Sequence, residues 1–353
     1  MKNLTVYAIT LAVLLGSAVS KSASQDLNEA GDSENRDAYT VNLAFSKDGR
    51  IVREIRTVSG PIWSVRAISW DVSKGKIRQV FDLGPDTKYF SATSDGRFAL
   101  ISENVDRSEK RVRLFLLDTK TGRTRDIPSD WFDPEDHLPD ATISGDGRWV
   151  SICSLSGDAD APRVVSVYNW RTRKLVARQA TGFSAGGFDG GGVTVDGKIE
   201  FTNNRTGTQI VDAKTGRLLV AYGPNSVRSP DGAWVVAFAG YLHGHERLET
   251  SVIDGSNGEL RGELDLKIRM QPAVSWSGVF CGTSGRIIAW DPDDVVAFDL
   301  RSRKQIASFP PETWRDKNLP ASPNLPPMAV GCSWTGKRVV IRSGARLTLH
   351  GLE

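Results

Sequence analysis

Lys47-Asp48-Gly49-Arg50 separates two runs of strand-forming residues, Val41–Phe45 and Ile51–Ile55. The arrangement returns six times: Ser94-Asp95-Gly96-Arg97, Gly145-Asp146-Gly147-Arg148, Val195-Asp196-Gly197-Lys198, Pro230-Asp231-Gly232-Ala233, Thr283-Ser284-Gly285-Arg286 and Trp334-Thr335-Gly336-Lys337. Measured glycine to glycine, the intervals are 47, 51, 50, 35, 53 and 51 residues. A period in that range means one supersecondary unit copied in tandem. Asp-Gly suits a hairpin, because glycine supplies the positive φ and the aspartate side chain bonds the backbone two residues on.

A second repeat lies downstream of each turn: Asp71-Val-Ser-Lys-Gly75, Asp118-Thr-Lys-Thr-Gly122, Asn169-Trp-Arg-Thr-Arg173, Asp212-Ala-Lys-Thr-Gly216, Asp254-Gly-Ser-Asn-Gly258 and Asp299-Leu-Arg-Ser-Arg303. It reads as a longer hairpin with its last residue left-handed. Between the markers lie further runs rich in Val, Ile, Phe and Trp, among them Val65–Trp70, Arg111–Leu117, Trp149–Ser154 and Val295–Phe298. These are strand compositions bounded by turns. Each unit therefore holds four antiparallel strands, and seven units predict an all-β, seven-bladed β-propeller over residues 39–353. The last unit ends at Glu353, too early for a fourth strand. An open ring would expose a strand edge. The N-terminal segment is therefore expected to complete the last blade, with Asn35–Thr40 as the expected strand.

Asn225-Ser-Val-Arg-Ser-Pro-Asp-Gly-Ala233 and the Ser69-Trp70-Asp71 that ends a third strand resemble the WD-repeat family and its looser bacterial relatives. The other units carry Leu117-Asp118, Val211-Asp212, Ile253-Asp254 and Phe298-Asp299, and the Gly-His opening of the eukaryotic repeats is absent. The resemblance spans residues 41–353 and implies the propeller fold, with the inter-blade loop face as interaction surface. It leaves the activity open, since propellers of this superfamily include binding platforms, lactonases, peptidase gates and quinoprotein subunits.

The composition, with 39% hydrophobic and 25% charged residues and 34 glycines, suits a turn-rich soluble β protein. A net charge of +3 without a dense Lys/Arg run argues against nucleic-acid binding. Lys2, the apolar Leu4–Val19 and the small residues Ser22-Ala-Ser24 read as a secretory signal peptide over residues 1–24. The polar, acidic residues 25–38 read as a tether. The expected product is exported, periplasmic or extracellular, monomeric, and without a membrane span after signal removal. Three cysteines leave at least one unpaired. Cys281 and Cys332 each stand four residues before their glycine marker, so they are expected on inner strands of neighbouring blades as buried thiols. A bridge, which needs Cα atoms within ~7 Å, is the alternative.

Chemistry-bearing motifs are sparse. There is no Gly-x-Ser-x-Gly elbow or phosphate loop, and Gly186–Gly192 precedes a strand instead of opening a helix. No cofactor is implied. His243-Gly-His245-Glu246, after Tyr241, is the one stretch with metal-ligand spacing; a solvated hairpin loop is its plainer reading. Two inter-blade connections share a pattern: Pro128-Ser-Asp-Trp131-Phe132-Asp133, running on through His137, and Pro311-Glu-Thr-Trp314-Arg315-Asp316. Each tryptophan either presents an aromatic on the loop face, with its neighbours and Tyr241 as binding residues, or packs into the gap between blades. Two functions follow. The favoured one is a non-enzymatic scaffold binding a protein or peptide through the loop face. The other is a propeller hydrolase, lactonase or quinoprotein-type subunit using the central channel.

Overall fold

The computed structural model describes residues 24–27, 38–58, 63–106, 111–132, 140–154, 164–180, 190–203, 207–222, 226–238, 241–242, 246–247, 250–266, 277–291, 294–317 and 329–352. Seven four-stranded antiparallel sheets form the blades of a ring. Blade 1 runs from inner to outer strand through Ala38–Phe45, Ile51–Val58, Ser64–Asp71 and Lys76–Pro85. Blade 2 uses Thr87–Ala92, Phe98–Asp106, Arg111–Asp118 and Thr124–Asp126. Blades 3 to 6 follow the same order, their inner strands being Asp140–Ile143, Gly190–Val193, Ser226–Arg228 and Ser277–Phe280.

Turn chemistry explains the regularity. In blade 1, Asp48 accepts hydrogen bonds from Ser46 Oγ at 2.6 Å and from the Arg50 amide at 3.2 Å, while Ile51 N donates to Ser46 Oγ. Thr93, Ser144 and Ser229 repeat the hydroxyl role beside Asp95, Asp146 and Asp231. At the second hairpin, Asp71, Asp212 and Asp299 each accept from amides two or three residues on. Arg173 and Arg303 take the left-handed conformation that Gly75, Gly122, Gly216 and Gly258 take elsewhere. Both hairpins of a blade therefore lie on one face of the disc, the turn face. Loops between second and third strands and the inter-blade connections lie on the other, the loop face.

Alternate residues of each strand face opposite neighbours. Val52, Ile68 and Trp70 thus pack toward blade 7, and Ile55, Val65 and Ala67 toward blade 2. An apolar cluster fills every gap around the ring, the smallest, around Ile210 and Val235, between blades 4 and 5.

Blade 7 is completed from the N-terminus, as the short last unit requires, but by Ser24–Leu27 and not by Asn35–Thr40. Ser24 pairs with His350 and Leu27 with Leu347. Thr40 instead belongs to the inner strand of blade 1, opposite Arg56. Gln25–Leu27, expected in a tether, are therefore part of a sheet. The closing interface carries a buried ionic knot. Glu54, fully buried, accepts from Thr40 Oγ1 at 2.6 Å, Arg56 Nε at 3.0 Å and Trp70 Nε1 at 3.1 Å, and Arg342 of blade 7 lies 3.4 Å away. Burial alone would raise the Glu54 pKa, but Arg342 and Arg56 override it and hold the carboxyl below its ordinary value.

The cysteines correct the expectation of free thiols. Cys281 and Cys332 form a disulfide with Cα atoms 4.8 Å apart, and Cys153 is the free cysteine. The glycine markers hide an offset. Cys281 N bonds Arg286 O as Ser333 N bonds Arg338 O, so Cys281 aligns with Ser333 and not with Cys332. Gly282, left-handed at φ +54°, lets the Cys281 turn approach close to Trp334.

Two outcomes follow. Below pH ~4 the native protein loses the stabilisation from ionised Glu54, because its folded pKa lies beneath the unfolded value of ~4.3. Glu54→Gln should cost about 3–5 kcal/mol in urea melts at neutral pH, by leaving buried guanidinium groups uncompensated, and should flatten the acid limb. A thiol titration in denaturant without reductant should find one reactive cysteine, Cys153, not three.

Candidate aromatic cleft on the loop face

The two Pro-x-x-Trp connections turn inward. Trp131, in the short helical turn Ser129–Trp131, is buried and stacks on Tyr168 of blade 3 at 4.0 Å between ring centroids. It belongs to the apolar cluster between blades 2 and 3, together with the buried Phe132. Trp314 ends the helix Pro311–Trp314, is wholly buried between blades 6 and 7, and donates from Nε1 to Phe309 O at 2.9 Å. The Arg315 guanidinium lies 5.6 Å from the Trp314 ring centroid. Asp316 caps a blade 7 hairpin, accepting from Ala345 N at 2.9 Å, while its own amide donates to Ser343 Oγ. These tryptophans are wedges in gaps. Asp133, His137, His243 and His245 lie outside the described residues. Tyr241–Leu242 pairs with Glu246–Arg247 in a two-stranded hairpin. Among the described residues no group of three or more His, Cys, Asp or Glu converges as a metal site.

Among the described residues the gap between blades 1 and 2 has no such wedge. Its connection is Asp86 alone, between Pro85 and Thr87, held at φ +62°. Thr87 Oγ1 secures the corner, accepting from Val65 N at 2.8 Å and donating to Gly84 O. So short a link leaves the loop face open, and a cleft of about 480 Å³ remains. Its walls come from Tyr39 and Val41 of one inner strand, Tyr89 of the next, and Thr57, Trp63 and Asn104 from the loop ends. Trp63 is 49% exposed and Tyr39 38%; the rings meet edge to face at 6.2 Å. Val105, next to Asn104, is 62% exposed. Burial pushes the Tyr89 phenol well above its ordinary pKa, with Asn42 working against the shift, so the ring stays neutral.

An apolar floor, two exposed amphipathic rings and a few polar groups make a recognition surface. Elsewhere, burial raises the pKa of the half-buried Glu200 against the influence of Arg228, in the gap between blades 4 and 5. Sequence reading singled out neither Tyr39 nor Trp63, although Gly60-Pro61-Ile62-Trp63 in a loop was an available signal.

No family model matches the chain, and no curated protein matches it by sequence. The fold has counterparts among solved structures. One is the β-propeller domain of the trilobed protease of Pyrococcus furiosus, described as having an open velcro topology. It is similar over 90% of this chain and 94% of that one, with a TM-score of 0.55 and 11% identity. That likeness concerns the fold alone.

The contrast between wedge and cleft aromatics is measurable. Trp314→Ala should lower stability by about 3–5 kcal/mol in denaturant melts. Trp63→Ala should change it by less than ~1 kcal/mol, as suits a half-exposed ring.

Proposed function

We propose that this propeller is an exported, non-enzymatic binding scaffold of WD-repeat-like type, and that its loop face engages a protein or peptide at the cleft between blades 1 and 2. The observation that carries the reading is the pair Tyr39 and Trp63, exposed at the rim of a cleft lined also by Val41 and Tyr89 and by the polar Thr57, Asp86, Lys88 and Asn104. Aromatic anchors with a polar end are the residues on which binding energy concentrates. The partner presents an apolar or aromatic side chain to the cleft and main-chain polar groups to Asn104 and Thr57. Cleavage after Ser24 would remove one of the four pairs that close blade 7, Ser24 with His350, and keep Gln25–Leu27. No helix among the described residues is long and apolar enough to cross a membrane.

The test is capture of partners from the envelope fraction of the source cell with wild-type, Tyr39→Ala and Trp63→Ala baits. A stoichiometric partner should bind the wild type and lose about tenfold or more in affinity to Trp63→Ala. A partner indifferent to both substitutions would remove the cleft from the reading. Turnover of lactones or amines by the purified protein would replace the scaffold with an enzyme.

A further inference from the structure

Blade 1 places an arginine at a position that four other blades use for core. Each second strand carries, two residues after the one that closes the Asp-Gly turn, a side chain facing the next blade. That position holds Leu100 in blade 2, Val236 in blade 5, Ile288 in blade 6 and Val340 in blade 7, while blades 3 and 4 hold the polar Ser151 and Glu200. Opposite the four apolar residues on the third strands stand Leu116, Val252, Ala297 and Leu349, and these pairs lie in the apolar clusters. In blade 1 the pair is Arg53 and Ser69, with Gln79 next in register on the outer strand. Where a core layer would sit, a cavity of about 470 Å³ opens to the turn face.

Arg53 is only 7% exposed, and its Nε has no hydrogen-bond partner. Its Nη1 donates to Asp95 O of blade 2 at 2.8 Å. Burying a guanidinium with an unmet donor costs free energy that a leucine at the same place would not. Exceptions to a local rule of this kind concentrate at functional sites. Burial also draws the Arg53 pKa below its ordinary value, with Asp95 the largest opposing influence.

The cavity's other walls are cationic: Lys47, Arg78, Arg97 and Lys120. Among the described residues, the Arg78 guanidinium and the Lys120 ammonium have no hydrogen bond or ion pair. Lys47 lies over the Trp334 ring, and Arg97 reaches Asp118 at 3.6 Å. Two carboxylates line the cavity, Asp48 and Asp95, and both are engaged by turn hydroxyls and amides. Five cations against two anions leave the cavity with an excess of three positive charges.

We propose that this cavity binds an oxyanion with two or three negative charges, of the phosphate or pyrophosphate class, carried on a small organic group. Guanidinium groups match the geometry of such anions, and a lysine supplies a mobile point charge. The volume falls in the range of small-molecule sites and leaves room beyond the anion itself. The site is on the face opposite the aromatic cleft and shares no lining residue with it.

Sodium pyrophosphate and inorganic phosphate, each titrated at constant ionic strength, test the proposal by calorimetry and thermal shift. Wild type should show saturable binding that weakens with added salt. The exposed double variant Arg78→Gln/Lys120→Gln should fold normally and bind about tenfold or more weakly. Arg53→Leu, which restores the repeat's apolar residue, should abolish binding and leave the protein as stable as wild type or more so. No saturable binding by wild type, or equal binding by the double variant, overturns the proposal. Anionic vesicles with a phosphomonoester headgroup form a further arm: binding there but not to the free anions would also overturn the small-molecule assignment.

Discussion

Closing the ring is the constraint on which the rest of the molecule depends. Within blades 1 to 6 the four strands follow one another along a single stretch of chain, interrupted in blade 5 by the hairpin Tyr241–Leu242 with Glu246–Arg247. Blade 7 is assembled from residues 24–27 and 329–351, so no turn fixes one part against the other. Apolar packing alone is non-directional and would tolerate a slipped strand. The interface between blades 7 and 1 adds directional bonds: Glu54 binds Arg56, Trp70 and Thr40 from its own blade and pairs with Arg342 from the other. Arg338 reaches across to Gly49 O, and Gly331 permits blade 7's inner strand to lie against Leu43 O. Such a buried ion set contributes less to net stability than to a unique arrangement, because each wrong register strands a charge.

The remaining gaps show two ways of handling space. Where a connection is long, the chain returns a tryptophan into the gap: Trp131 between blades 2 and 3, Trp314 between blades 6 and 7. The disulfide strengthens the latter gap further. The gap between blades 1 and 2 receives a one-residue link and a buried arginine in place of a leucine. It is accordingly open at both ends, with an apolar layer around Ile55, Ala99 and Phe115 between the openings. Function is sought in such departures, since a repeat that only had to be stable would use the same packing in every copy.

What was legible in the sequence follows the same division. Turns are local, so Ser46-Lys-Asp-Gly49 and its copies declared seven blades, and the roles of Asp48 and Asp71 could be read from residue type alone. Ring closure is a non-local pairing of four residues, too short to carry a pattern of its own, and the strand was placed some ten residues late. The cysteine pairing failed because the marker glycine of blade 6 sits one place later in its turn than in blade 7. Counting from Gly285 therefore gave Cys281 the wrong register. Pro-x-x-Trp-x-Asp was a true repeat, but sequence cannot distinguish an aromatic that caps a gap from one that faces solvent. Tyr39 and Trp63 are neighbours only through the fold, and Arg53 looks in sequence like any polar residue alternating along a half-exposed strand.

One strand ties the two ends of that gap together. Arg53, Ile55 and Thr57 lie on the same face of Ile51–Val58: the first lines the basic cavity, the second the apolar layer, the third the aromatic cleft. Arg53 and Thr57 are separated by about 13 Å along a strand with a rise of ~3.3 Å per residue. The layer between them is close-packed and transmits displacement more readily than it absorbs it. An anion drawing Lys120 and Arg97 of blade 2 toward Arg53 of blade 1 would narrow the gap on the turn face, and blades that pivot on a packed layer must adjust on the loop face as well. Any coupling between the two proposed sites would run through this layer. Linkage makes the effect equal in both directions: the anion alters the cleft by the same factor as the cleft's occupant alters the anion site. Its sign depends on whether the occupant of the cleft prefers the wider or the narrower gap.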